Sequence, residues 1–135
     1  MKNNKLQALE CIAFLVVKCD IQQTEKVERL ENRQEQYIRR YAKAHGIKVV
    51  GVVHSRGLGQ LDINRQFNSM VELIRRGKVE GIIAVNMLAF SVNLPDAYLK
   101  VGKVRSAGGV MVTVDEGRLE LNIRRRNQNE RKKFI

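Results

Sequence analysis

Tryptophan is absent from the 135 residues, and proline occurs once, at Pro95. No Pro-rich linker, internal repeat or second domain interrupts the chain, whose length suits one domain with a core of its own. Cysteine is scarce too. Cys11 and Cys19 lack the CxxC spacing, which excludes both a disulfide framework and a zinc site. Cys11 opens an apolar run and reads as a small core residue. No apolar run approaches the ~18–20 residues of a membrane span. The basic, then apolar start MKNNKLQALECIAFLVV is followed by charged KCD rather than a small-residue cleavage site, so it does not read as a signal peptide. The expectation is a cytoplasmic protein with no membrane partner. Acidic residues are outnumbered, 14 against 25 Lys and Arg, for a net charge of +11. Such a chain attracts polyanions, nucleic acid above all; the plainer alternative is a basic, soluble surface.

What is present alternates. CIAFLVV, IKVVGVV, VEGIIAV and GGVMVTV are short, continuous and β-branched, as strands buried on both faces are. Helical stripes lie between them. The first is Val27, Leu30, Tyr37, Ile38 and Tyr41, with Gly46 at the C-cap position. The second is Ile63, Phe67, Met70, Val71 and Ile74, closed by Gly77. The third is Leu94, Ala97, Tyr98, Val101 and Val104, closed by Gly108 and Gly109, with Pro95 in the first turn. The order β-α-β-α-β-α-β predicts a three-layer α/β domain: a mostly parallel sheet with helices on both faces. VMVTV-DEG-RLELNI alternates on both sides of a turn and predicts a C-terminal β-hairpin, with Leu119, Leu121 and Ile123 on one face. A helix starting there is the other reading, but no apolar stripe follows. The domain is expected over 1–123, with a basic tail over 124–135. Residues 118–135 carry seven Lys/Arg against two Glu, or +5 of the total.

Ligands of such sheets gather at the carboxyl ends of the strands. The first of these ends is AFLVVKCDIQQ, with Lys18, Cys19 and Asp20 at its tip. Lys18 or Cys19 could attack an electrophile, but neither has a visible base or oxyanion partner, and a strand-end lysine is usually just solvated. HSRGLGQLDINRQF places two glycines before a helix, yet matches neither phosphate-loop spacing. His45 precedes Gly46 as a helix-end histidine, and His54 has no second ligand at metal spacing. No metal or cofactor is expected.

Taken in order, these segments resemble the catalytic domain of the serine site-specific recombinases, the resolvase/invertase group. FLVVK stands where that family has its first strand, ending Y-x-R-x-S. NRQEQYIRRYAKAHG matches its glutamine-bearing helix, HSRGLGQLDINRQF its glycine loop and helix-opening arginine, and LIRRGKVEGIIAV its L-x-x-G-x-V-D-x-I-x-V stretch. The resemblance spans roughly Cys11 to Gly117. The long loop before NRQEQ is more like the large serine recombinases.

The resemblance implies a serine that attacks a DNA phosphate, and arginines that stabilise the charge developing there. Here the serine position is Lys18 and the arginine position is Val16, and no serine occurs before Ser55. Where the family has a D-R-x-x-R-like motif, LAFSV puts Leu88, Ala89 and Val92 at the charged positions. Only Arg65 is retained, as a phosphate contact or a surface helix residue. The residues after Gly117 are too few for the family's long dimer-forming helix and separate DNA-binding domain. The expectation is a recombinase-like protein without strand-transfer chemistry, associated with mobile-element DNA. Its expected DNA contacts are non-specific and salt-sensitive, made by Arg65, Arg124, Arg125, Arg126, Arg131, Lys132 and Lys133. A homodimer or a partner recombinase would fit. The alternatives are an active recombinase using Ser55 or Ser91, a small-ligand module in the strand-end crevice, and a protein-interaction module.

Overall fold

In the computed structural model, residues 8–18, 24–56 and 59–119 are described. Strand β1 (Leu9–Val17) is apolar from Cys11 onward, and every residue from Cys11 to Val17 is buried. A strand apolar on both faces must lie inside a sheet. β1 does so, in a five-stranded sheet of order β2-β1-β3-β4-β5. The other strands are β2 (Ile47–Arg56), β3 (Gly81–Ala84), β4 (Val110–Thr113) and β5 (Gly117–Leu119). β1 pairs in parallel with β2 and β3, and β3 with β4; β5 returns antiparallel on β4. That return is the hairpin expected from the alternating C-terminal pattern. Leu121, Ile123 and the basic residues of 124–135 lie outside the described residues.

The chain steps from β1 to β2 in one direction across the sheet, then back past β1 to β3 and on to β4. Right-handed crossovers therefore put the first helix on one face and the later ones on the other. Helix α1 (Thr24–Ala44) sets Ile38 and Ala42 against Cys11, Ala13, Leu15, Ile83 and Val112. On the opposite face, α2 (Gln60–Arg75), α3 (Met87–Phe90) and α4 (Leu94–Ser106) pack on Ile12, Phe14, Val16, Ile82 and Met111. This is the three-layer α/β architecture that the alternating segments predict.

The α2 stripe is buried as read, from Ile63 to Ile74. The other two stripes are buried only in part. Val27 and Ile38 of α1 are buried, but Tyr37 is not. In α4, Ala97, Val101 and Val104 face the core, while Leu94 and Tyr98 are about half exposed. The buried position between them belongs to Lys100, whose Nζ reaches Asp96 at 2.6 Å. An ion pair one turn apart lets a lysine occupy a site that periodicity reserves for an apolar residue. Pro95 sits in the first turn of α4, after the Asn93 cap. Gly46 closes α1 at φ 69°, a left-handed conformation that costs a side-chain-bearing residue energy.

β1 runs further than β3. Their last paired residues are Ala13 and Ile83, whereas β1 continues beside β2 to Val17. From Phe14 onward β1 has a strand on one side only. This fork opens at the carboxyl end, between strands whose connections run in opposite directions.

Close approach within the sheet depends on Gly81. A Cβ there would collide with the backbone carbonyl oxygen of Val110 on β4 and press on the Cys11 Sγ. A Cβ at Gly51, by contrast, meets nothing within 4 Å. Gly81→Ala should therefore lower the unfolding free energy by about 1–3 kcal/mol, the usual effect of overpacking. Gly51→Ala should change it by less than about 0.5 kcal/mol. Urea unfolding midpoints of the two variants check the difference.

Candidate functional site

Because β1 outruns β3, the backbone groups at its end need other partners. The Gln34 side chain of α1 supplies them. Val16 N–H donates to Gln34 Oε1 at 3.2 Å, and Gln34 Nε2 donates to the Val16 carbonyl at 2.7 Å. One amide thus takes the place of a neighbouring strand, and it locks α1 over the fork.

Lys18 follows. Its Nζ donates to the carbonyls of Leu88 at 3.0 Å and Ser91 at 3.1 Å. These carbonyls lie at the end of α3, a single turn that forms inside the stretch read from sequence as a strand-end loop. Asn86 caps its start by accepting from Ala89 N–H at 2.9 Å. Two further carbonyls here are also engaged. Ser91 Oγ donates to Met87 O at 2.6 Å, and Gln60 Nε2 donates to Phe90 O at 3.2 Å. A helix end needs such donors because its last carbonyls have no partner within the helix. Lys18 is thus a staple between β1 and α3. Burial of the ammonium end and the nearby Lys100 charge lower its pKa, against the opposing pull of Asp96. Burial alone would raise the Asp96 carboxyl, but the Lys100 ammonium, the Val92 N–H and the Lys103 charge hold it below the usual range.

Other residues singled out from sequence are placed as follows. Val16 is buried in the core. Arg65 lies on α2 with its side chain 76% exposed and its guanidinium bonded to Asp62 at 2.9 Å, sharing no partner with Lys18. Of the LAFSV residues, Leu88 and Val92 are exposed. Cys19, Asp20 and Arg124, Arg125, Arg126, Arg131, Lys132 and Lys133 lie outside the described residues. Ser91 is 1% exposed and its hydroxyl is bonded within α3; Ser55 is 2% exposed. His45 stacks on the Tyr41 ring, centroids 3.9 Å apart. His54 Nδ1 lies 3.2 Å from the buried Glu31 carboxylate. Among the described residues no group of three His, Cys, Asp or Glu could hold a metal ion. No described helix is long and apolar enough to cross a membrane.

Sequence reasoning named a strand-end crevice as an alternative but none of the α1 residues that line it. A cavity of 430 Å³ lies between α1 and the ends of β1 and β3. Val16, Val17, Leu30 and Val85 form its apolar wall, and Arg33, Gln36, Tyr37 and Arg40 line the α1 side. The Tyr37 hydroxyl donates to Asp115 Oδ1 at 2.8 Å, and Asn86 Nδ2 donates to Asp115 Oδ2 at 3.1 Å. The bond to the Asp115 carboxylate pushes the Tyr37 phenol pKa up. The same chain of bonds fixes α1 to the far strands. The signal that could have found the cavity is the spacing of Leu30, Arg33, Gln34, Tyr37 and Arg40, which places a mixed basic and polar face beside the α1 core stripe.

The lowered Lys18 pKa has a definite pH consequence. Native Lys18 gives up its proton below 10.5, the value it has when unfolded. Between those two values the unfolded chain binds more protons, so this group's contribution to stability rises with pH across that interval and is complete above it. Denaturant unfolding followed through the alkaline range should show the rise, and Lys18→Met should lack it.

No family model and no curated protein sequence matches the chain. Solved structures do match. A resolvase family site-specific recombinase from Streptococcus pneumoniae is similar with a TM-score of 0.65 and 20% identity, over 81% of this chain and 74% of that one. The N-terminal catalytic domain of TP901-1 integrase is similar with a TM-score of 0.62 and 12% identity, over 80% and 78%. The C-terminal catalytic domain of ISC1926 TnpA, an IS607-like serine recombinase, follows with 0.58 and 20%, over 78% and 67%. The chain has the fold of serine recombinase catalytic domains, built with a lysine staple and a glutamine bridge at the end of its first strand.

Proposed function

We propose that this chain is a DNA-associated, regulatory relative of the serine recombinases that does not itself transfer strands. The observation that carries the reading is the state of Lys18. It stands where the resemblance implies the attacking serine, and its amine is held by the carbonyls of Leu88 and Ser91. Those carbonyls belong to the segment where the resemblance implies phosphate-binding arginines. A carbonyl-lined turn attracts cations and repels phosphate, the reverse of what phosphoryl transfer needs. The reading with Ser55 or Ser91 as a relocated nucleophile is disfavoured by the enclosure of both side chains.

A DNA partner is supported by the net charge of +11 and by the recombinase and integrase neighbours on this fold. Binding would be driven by counterion release and would be indifferent to sequence. The six basic residues Arg124, Arg125, Arg126, Arg131, Lys132 and Lys133 would supply most of the phosphate contacts, with Arg65 a further one. Association with itself or with an active recombinase, on mobile-element DNA in the cytoplasm, completes the proposal.

Incubation with supercoiled DNA should yield neither strand breaks nor a protein–DNA adduct that survives denaturation; an adduct would refute the loss of chemistry. Duplex affinity should fall steeply with salt. Replacing the six tail residues with Gln should weaken binding and flatten the log–log salt slope by roughly 0.9 for each phosphate that is no longer neutralised. Unchanged affinity and slope would remove the tail from the interface.

A further inference from the structure

The cavity beside α1 takes no part in the proposal above, and its chemistry is specific. It lies at the point where the chain leaves β1 and β3 in opposite directions across the sheet. Open parallel sheets bind ligands at such points, outside the carboxyl ends of the strands. Its volume of 430 Å³ is in the range of small-molecule sites. One wall is apolar, formed by Val16, Val17, Leu30 and Val85.

The α1 side also carries two guanidinium groups, Arg33 and Arg40, seven residues apart on that helix. At ~1.5 Å per residue they stand roughly 10 Å apart along the helix. Among the described residues neither has a hydrogen-bond or ion-pair partner. Other arginines of these helices are paired: Arg39 with Glu35, Arg65 with Asp62, and Arg75 and Arg76 with Glu72. Among the described residues no acidic side chain lines the cavity.

A free inorganic anion would leave the apolar wall wet. A wholly apolar ligand would desolvate two unpaired cations. The occupant needs a flat apolar body and an anionic group that matches the guanidinium fork. We propose that the cavity binds a nucleoside phosphate, with the base against Val17, Leu30 and Val85. One guanidinium holds the phosphate, and the other stacks on the base. The Gln36 amide lies at the rim, where it can read an edge of the base. The nucleotide is either free or part of a single-stranded nucleic acid, and the chemistry is shared. This inference goes beyond the DNA-tail reading and does not depend on it.

The test is calorimetric titration of the full chain with adenosine 5′-monophosphate at low salt, with amide NMR to locate the site. Saturable binding that shifts Val17, Leu30, Arg33, Tyr37 and Val85 is expected. Arg33→Gln and Arg40→Gln should each weaken it about tenfold, as removal of a charge-assisted hydrogen bond does. Arg39→Gln, on the same helix but paired with Glu35, should leave it unchanged, as should the six-residue tail replacement. A single-stranded oligoadenylate that displaces the mononucleotide would identify the polymer as the source. Failure of the oligomer to compete would identify the free nucleotide; both results support the site. Absence of binding at millimolar nucleotide would overturn the proposal. So would inorganic phosphate binding as tightly as the nucleotide, or affinity that survives both arginine replacements.

Discussion

The length mismatch between β1 and β3 governs the whole carboxyl end of this molecule. β1 is buried from Cys11 onward, and it continues past its last β3 partner with one hydrogen-bonding edge uncovered. Buried backbone donors and acceptors cannot be left unpaired without a cost of about 1–3 kcal/mol each. Gln34 meets that requirement at Val16. Lys18 extends the same logic one step further, tying the strand end to the carbonyls of α3. The cavity is what remains of the fork on the α1 side once these bonds are made.

The architecture is that of serine recombinase catalytic domains, yet a fold alone does not specify an activity. Phosphoryl transfer needs a nucleophile and cations arranged around a phosphate. In this chain the strand-end side chain is itself a cation, and the turn beside it presents carbonyl oxygens. Lys18 and the end of α3 satisfy each other, so the charges there are arranged inward. The unpaired positive charge lies instead on the α1 rim of the fork, at Arg33 and Arg40.

Much of the fold was legible in the sequence because it depends on burial. CIAFLVV, VEGIIAV and GGVMVTV are strands that packing covers on both sides, and Ile63 to Ile74 is a stripe that one sheet face covers entirely. The reading failed where a polar interaction replaced burial. Lys100 occupies an inward position because Asp96 neutralises it, which periodicity of apolar residues does not register. Short α3 escaped because a single turn has no period to detect; its signal is Asn86, the capping side chain. Lys18 stands where the resemblance implies a serine, but its bonds depend on Leu88 and Ser91, some seventy residues away. The cavity escaped for the same reason, since its walls come from three separate segments.

The proposed loss of strand transfer involves a whole arrangement rather than one residue. Restoring the hydroxyl separates the two possibilities. The Lys18→Ser chain, incubated with supercoiled DNA and resolved under denaturing conditions, should still form no covalent DNA adduct, because α3 offers carbonyls where cations are required. A DNA adduct through the new serine would contradict the account, since it would mean that the rest of the site is competent and only the nucleophile had been exchanged.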